Sequence, residues 1–167
     1  MLLFPRLRAL RALAMLHRLP KLVAPRVSAA VLRTLWSGWC TARRFGRRAP
    51  CLFCKTEDGD SIEHVSLCPT LAQFGHADLR LPYFADAEQR RIDFLLLRHA
   101  SELSDARLAL GALRVAAAYQ VHCNFRRRPG ALRGQEVVRG ALLQTVKQLV
   151  QGHDVAMAIF DGRWIRR

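Results

Sequence analysis

Apolar residues recur at helical spacing along most of this chain. In residues 1–19, leucines stand three and four positions apart with arginines between them, which predicts a basic amphipathic helix ending before Pro20. A second helix is predicted from Val27 or Ser28 to Phe45, after a connector at residues 20–25. Its expected inward positions are Val31, Leu35, Trp39 and Ala42, and its expected outward arginines are Arg33, Arg43 and Arg44.

Three more helices are predicted beyond residue 85. Asp86 can act as the N-cap of a helix through AEQRRIDFLLLRHASEL, residues 87–103. A long helix then starts at Ser104 or Asp105 and is closed by Pro129-Gly130, and a last one covers residues 135–150. Residues 69–85 are expected to be irregular, and the tail from residue 153 carries no assignment. The pattern therefore predicts a mainly α fold.

The charge of the chain is unevenly distributed. Its 167 residues suit one compact domain and carry a formal net charge of +14. Residues 1–50 contain 11 basic residues and no acidic one, whereas residues 51–70 contain one lysine and four carboxylates. Such a basic block is typical of a protein that binds a polyanion, usually RNA, DNA or an anionic membrane surface, and the alternative is a generic arginine-rich surface. No apolar run is long enough to predict a transmembrane segment.

Three of the five cysteines lie with one histidine in the short stretch CLFCKTEDGDSIEHVSLC. The spacing Cys51-x2-Cys54-x9-His64-x3-Cys68 lets a tight turn aim two thiolates at one cation. A short helix capped by Ser61 would bring His64 and Cys68 to one face, with Gly59 reversing the chain before it. These four ligands predict one structural Zn²⁺ in a small CCHC module inserted between helices, against the alternative of chance clustering.

The odd number of cysteines and the arginines near the start indicate a reducing, intracellular compartment, nuclear or cytoplasmic. Cys40 and Cys123 are expected to be small buried residues outside the metal site. No Ser/His/Asp order, phosphate-binding glycine loop or carboxylate pair is present in the sequence, so we predict no catalytic residue, no small-molecule substrate and no enzyme activity.

The segment CLFCKTEDGDSIEHVSLCP, preceded by LRTLWSGWCTARRF, resembles the zinc-binding region downstream of the reverse transcriptase domain in non-LTR retrotransposon proteins. Ser61-Ile62-Glu63-His64 and Cys68-Pro69 match the core of that motif. The match covers residues 28–75, and the spacing from Cys54 to His64 is longer than in compact retroviral knuckles. The resemblance implies the zinc-bearing, nucleic-acid-binding end of such a protein without its polymerase.

The nucleic-acid contact is expected at Arg43, Arg44, Arg47 and Arg48, because a planar guanidinium pairs well with phosphate. Trp36, Trp39 and Phe45 can add base stacking where exposed, although we expect at least two of them to be buried. The alternative function is a zinc-stabilised helical scaffold or protein-interaction module.

The sequence divides into four segments. Residues 1–26 form a basic amphipathic arm, residues 27–80 a helix plus the zinc module, residues 81–152 a helical domain, and residues 153–167 a basic tail. For the arm, three interpretations stay open: ordinary packing of its leucine stripe, a mitochondrial targeting segment, or a helix that lies on a membrane surface.

Overall fold

The computed structural model describes residues 6–127 and 134–162, and these residues form helices and no β-strand. The predicted mainly α fold is therefore confirmed. The helices are α1 Arg6–Arg18, α2 Pro25–Leu35, α3 Ile62–Val65, α4 Pro69–Ala77, α5 Ala87–Phe94, α6 Asp105–Arg127, α7 Gln135–Val150 and α8 Asp154–Phe160. Short 3-10 turns occupy Leu19–Lys21, Arg43–Phe45 and Ala100–Glu102.

Helix α6 is the centre of the fold, and α2, α4, α5, α7 and α8 all pack against it. Its apolar residues are buried around the whole helix rather than along one stripe, as expected for a helix enclosed by neighbours. Small residues such as Ala112 and Ala117 are fully buried there, which lets neighbouring helices approach closely. One hydrophobic core extends from Met15 in α1 to Ile159 in α8.

Asp93 forms a buried charge cluster between α5 and α6. Its carboxylate accepts hydrogen bonds from Arg98 at 3.1 Å, Arg107 at 2.7 Å and Arg114 at 3.1 Å. Arg114 is itself buried, and a Cβ at Gly75 would lie only 2.9 Å from its side chain. The cluster therefore joins α5 to the central helix, and glycine at position 75 leaves room for it.

Helix α2 ends at Leu35, so the prediction that it continues to Phe45 is wrong. The N–H groups of Ser37 and Gly38 bond back to the carbonyls of Thr34 and Arg33, at 3.1 and 2.6 Å. This is the pattern of a Schellman motif, with Ser37 in the left-handed conformation at φ 52°. The predicted inward positions of α2 and its extension are nevertheless buried, and the three predicted outward arginines are exposed.

Helix α5 also ends early, at Phe94, because Leu96 adopts a left-handed φ of 59°. Leu96 is buried against α6, where a Cβ at Gly111 would come within 2.5 Å of it. The strained backbone of Leu96 thus lets its side chain pack closely against α6, in the space left by the missing side chain of Gly111. The prediction of one helix through residues 87–103 is therefore wrong beyond residue 94.

Residues 69–77 form α4, although irregular structure was expected there. Pro69 stands at the first helical position, where its fixed φ favours a helix and its missing N–H costs nothing. Leu71 and Phe74 bury the inner face. Residues 154–160 form α8 in the tail that had no assignment.

The predicted helix over residues 1–19 is confirmed for α1, Arg6–Arg18, and residues 1–5 lie outside the described residues. Three further helix predictions are confirmed. Helix α6 begins at Asp105, α7 has the predicted bounds, and Asp86 caps α5 by accepting a hydrogen bond from the Gln89 N–H at 2.7 Å. The predicted closure of α6 at Pro129-Gly130 lies outside the described residues. Among the described helices, none combines the length and apolar character needed to cross a membrane.

Candidate metal centre

The four predicted ligands meet at one point. They come from the part of the chain that connects α2 to α4. One ligand atom from each of Cys51, Cys54, His64 and Cys68 lies within 4.8 Å of the others. The Sγ atoms of Cys51 and Cys68 are 4.0 Å apart, and Cys54 Sγ is 3.1 Å from His64 Nε2. A tetrahedral zinc site with Zn–S bonds of about 2.3 Å has ligand separations of about 3.8 Å. These side chains are therefore close enough to hold one metal ion.

A tight turn carries the first two cysteines. The Lys55 N–H donates to the Cys51 carbonyl at 3.0 Å, and the Phe53 N–H points at Cys51 Sγ at 3.4 Å. Lys55 takes a left-handed φ of 65° to close this turn. The turn aims both sulfurs at one point, as the Cys-x2-Cys spacing predicted, and gives Cys51 a backbone donor.

Helix α3 positions the second pair of ligands, because His64 lies in it and Cys68 follows it. Ser61 caps this helix, as predicted, because its Oγ accepts a hydrogen bond from the His64 N–H at 3.1 Å. Helix α3 stops at Val65, and the Leu67 and Cys68 N–H groups bond to the carbonyls of His64 and Val65. His64 and Cys68 are therefore brought together by one helical turn and a tighter following turn, rather than by the continuous helix that was expected.

Gly59 is needed because the chain passes close to the ligands. A Cβ at this position would lie 2.9 Å from the Cys51 Cβ and 3.1 Å from His64 Cδ2. The left-handed residue that reverses the chain is the preceding Asp58, at φ 53°. The predicted reversal at Gly59 thus has its steric origin one residue earlier, and glycine serves close approach instead.

Hydrogen bonding within the cluster favours the thiolate form of Cys51 and Cys54. A hydrogen bond from the Cys68 thiol lowers the pKa of Cys54 to about 3 and that of Cys51 to about 7, against the opposing effect of burial. The same contacts raise the pKa of the Cys68 thiol. Burial lowers the pKa of His64, but its hydrogen bond to Cys54 and the nearby thiolate charges outweigh that effect and raise it. Thiolates are the form in which cysteine binds metals.

Asp60 connects the metal loop, residues 51–68, to two other parts of the protein. Its carboxylate is buried and accepts hydrogen bonds from the Ala42 N–H at 2.7 Å, from His122 Nε2 at 2.9 Å and from the Arg126 guanidinium. Its backbone carbonyl accepts from the Arg43 N–H at 3.3 Å, and its N–H donates to Ala49 at 3.1 Å. The charge count of the loop gave no signal that one of its four carboxylates is buried.

His122 of α6 lies behind the metal loop in an aromatic pocket. Its ring centre is 5.2 Å from that of Trp39 and 6.4 Å from that of Phe53, and all three side chains are buried. The Trp39 indole N–H donates to Thr34 Oγ1 at 2.9 Å. His122 is separated from Asp60 by 62 positions, so sequence spacing could not identify this pair.

The four predicted nucleic-acid-binding arginines stand next to the metal loop. Arg43, Arg44, Arg47 and Arg48 are all exposed, and they lie in a turn that follows α2 rather than on a helix end as predicted. Gly46 allows this turn through its left-handed φ of 67°, and the Arg47 N–H returns to the Ala42 carbonyl at 3.0 Å. Residues 43–48 are called the basic turn below.

Two of the three nearby aromatic side chains are exposed, so the expectation that at least two are buried is wrong. Trp36 is 69% exposed and Phe45 is 60% exposed, whereas Trp39 is 1% exposed. Trp36 terminates α2 and Phe45 lies in the basic turn, where neither is covered by the core.

The remaining cysteines lie outside the metal cluster. Cys40 is exposed, which contradicts its predicted burial, because α2 has already ended before it. Cys123 is half-buried on α6. Within residues 6–127 and 134–162, the only group of three or more His, Cys, Asp or Glu side chains placed to share one metal ion is the predicted set of four.

The sequence matches no family model, and comparisons with curated proteins and with solved structures gave no match. The resemblance to non-LTR retrotransposon proteins thus rests on the motif residues alone and stays a prediction. What the fold and the site define is a helical protein with a Cys3His cluster that can hold a metal ion.

Proposed function

We propose that this protein is a nucleic-acid-binding module stabilised by one structural Zn²⁺, and that it binds RNA or DNA through the basic turn. Cys51, Cys54, His64 and Cys68 would hold the ion. Three sulfurs and one imidazole nitrogen suit zinc, and four protein ligands leave no position open for a catalytic water. When bound, the ion would cross-link the two halves of the metal loop.

The metal loop itself is a poor surface for phosphate. Three thiolates around one Zn²⁺ leave a net charge of −1, and Glu57, Asp58 and Glu63 are exposed beside it. A phosphate backbone is repelled by such a surface. The four arginines of the basic turn are exposed, and residues 1–56 contain no Asp or Glu. Arg48 lies 3.6 Å from the carboxylate of Asp58, and both of these side chains are exposed, so the pair neutralises little of the charge of the turn.

The observation that carries this proposal is the connection that Asp60 makes between the metal loop and the basic turn. Two of its hydrogen bonds reach the backbone at Ala42 and Arg43, where the turn begins, and a third reaches Ala49, where it ends. A metal ion that fixes the loop would thereby fix both ends of the turn. Zinc would act indirectly, by holding the arginines in one arrangement before they meet phosphate.

The origin of the chain is part of the same proposal. Its motif resembles the terminal zinc-binding region of non-LTR retrotransposon proteins, which supports a nucleic-acid-binding role without polymerase chemistry. We expect the protein to be non-enzymatic and to act in the nucleus or cytoplasm. A mitochondrial location is the alternative if the arm at residues 1–26 is a targeting segment.

The test is the salt dependence of binding. Replacing the four arginines by glutamine should weaken binding to all sequences alike and reduce the slope of log K against log salt by roughly 0.7–0.9 for each phosphate that the variant no longer neutralises. A control variant carries glutamine at four exposed or half-exposed basic positions on other elements: Arg80, Arg91, Arg139 and Lys147. It has the same net charge and should keep most of the slope.

An equal loss in the two variants would show that binding follows net charge rather than the basic turn. If the protein with bound zinc does not shift a mixed RNA or DNA probe at low salt, the proposal is wrong. The alternative, a zinc-stabilised scaffold or protein-interaction module, would then be the better description.

A further inference from the structure

An exposed apolar patch lies at the end of α2 and includes one residue of the basic turn, Phe45. It consists of Leu32, Trp36 and Phe45, which are 43%, 69% and 60% exposed. Leu32 and Trp36 are four residues apart at the end of α2, where the Trp36 N–H bonds to the Leu32 carbonyl at 3.1 Å. Arg44, next to Phe45, donates to the carbonyl of Ser37, next to Trp36, at 3.4 Å. These three apolar residues are called the aromatic patch below.

The patch combines flat apolar surfaces with strong positive charge. Besides the four arginines of the basic turn, Arg33 is exposed between Leu32 and Trp36 in sequence. The surface is rich in arginine rather than lysine, and arginine pairs with phosphate through a planar fork. A partner that matches both properties carries anionic groups at regular intervals and flat, uncharged faces between them.

Nucleic acid has this chemistry, but only a single strand offers its base faces. In a duplex each base is covered by its neighbours, and a side chain reaches a base face only after unstacking, which costs a few kcal/mol per step. In a single strand the faces are free, and stacking on an aromatic side chain strengthens binding without regard to sequence. The exposed Trp36 and Phe45 are therefore useful to a single strand and of little use to a duplex.

We propose that the aromatic patch makes the protein selective for single-stranded nucleic acid, with Trp36 and Phe45 stacking on bases while the basic turn holds the phosphates. This inference rests on the proposed function. Trp36 is the stronger contributor, since it has the larger ring system and the greater exposure. RNA and DNA both supply the required bases.

The experiment compares four probes with the zinc-loaded full chain: a 15-nucleotide oligothymidylate, the matching oligouridylate, a 15-base-pair mixed-sequence DNA duplex, and phosphatidylserine vesicles. Trp164→Phe leaves Trp36 and Trp39 as the two tryptophans of the chain, and excitation at the red edge of the indole band avoids its tyrosines. Stacking should quench the exposed Trp36 and leave the buried Trp39 unchanged. We expect strong quenching by both single strands and little by the duplex.

Variants separate stacking from charge. Trp36→Ala should weaken affinity for the single strands about tenfold, since one base stack is worth about 1–3 kcal/mol, and change duplex affinity less than about twofold. Tyr83→Ala removes another exposed aromatic side chain, one that lies between α4 and α5, and should change neither. Trp36 is so exposed that its removal should leave zinc content and unfolding unchanged.

The outcomes distinguish this inference from the proposed function. If Trp36→Ala binds single strands as tightly as the parent while the four-arginine variant loses affinity, the function stands and the stacking surface is wrong. If Trp36→Ala loses the same factor of affinity for the duplex as for the single strands, selectivity does not come from the patch. If only vesicles bind, and they shift the Trp36 emission to the blue, both proposals fail and the patch is a membrane contact.

Discussion

Replacing Asp60 by asparagine removes one buried negative charge and keeps the shape of the side chain. The carboxylate serves three donors, the Ala42 N–H, the His122 imidazole and the Arg126 guanidinium. An asparagine amide accepts through one oxygen only, so at least one donor is left facing an NH2 group. An unpaired buried polar group costs about 1–3 kcal/mol, and Arg126 loses its charged partner as well. We expect Asp60→Asn to lower the free energy of unfolding by about 3 kcal/mol.

Urea unfolding of the zinc-loaded protein measures this loss. With an m-value of about 2 kcal/mol/M, the midpoint should fall by about 1.5 M. Asp58→Asn is the matched control, because it makes the same charge change two residues away. Asp58 is exposed, pairs with Arg48 only at 3.6 Å, and has a left-handed φ that asparagine tolerates. Its effect should be below about 0.5 kcal/mol.

The pH dependence provides a second signature. Burial would raise the pKa of Asp60, but hydrogen bonds from His122 and Ala42 and the charge of Arg126 outweigh it and lower the pKa. The stability that Asp60 contributes is therefore complete above its unfolded pKa of about 3.9 and is lost as pH falls through the lower folded value. The difference between parent and Asp60→Asn should shrink below about pH 4. Equal destabilisation of Asp60→Asn and Asp58→Asn would refute the reasoning. So would a difference in unfolding free energy between the parent and Asp60→Asn that stays the same below about pH 4.

Three further predictions concern the metal centre and a helix cap. Elemental analysis should give one zinc per chain, retained in Cys123→Ser and lost in Cys54→Ser; the reverse would contradict the ligand assignment. Gly59→Ala should weaken zinc binding about tenfold or more in a chelator competition, because its Cβ would lie 2.9 Å from a ligand side chain, whereas Gly140→Ala, with open space around it, should not. Asp86→Ala should cost about 1 kcal/mol in thermal unfolding and Asp86→Asn almost nothing, and equal losses would exclude the capping role.

Local sequence signals predicted the features that depend on near neighbours. The ligand spacing predicted which four side chains meet, and the hydroxyl and carboxylate caps at Ser61 and Asp86 were visible from the residues that follow them. The regular apolar spacing of α7 defined both of its ends. Each of these features is determined by groups that stand close together in the sequence.

Two of the features that were missed, the early end of α5 and the burial of Asp60, depend on distant contacts. Ser37 and Leu96 end their helices in a left-handed conformation that neither residue favours by itself. The packing of Leu96 against Gly111 offsets the cost of its left-handed backbone. The hydrogen bond from His122 makes the burial of the Asp60 carboxylate possible. Helix propensity and apolar periodicity are local properties, so they do not identify pairs of residues that are far apart in the sequence. The early end of α5 and the buried carboxylate could therefore not be predicted from them.

The separation between Asp60 and its partners on α6 has a consequence during synthesis of the chain. All four metal ligands leave the ribosome before His122, which follows Asp60 by 62 positions. The set of four ligands is complete at Cys68, which precedes His122 by 54 positions, and at translation rates of about 5–20 residues per second this interval is about 3–11 s. During it the metal loop can capture its ion while the carboxylate that later becomes buried is still hydrated. The central helix would then close over a preformed metal loop, so that metal availability during translation influences how efficiently the nascent chain reaches its native state.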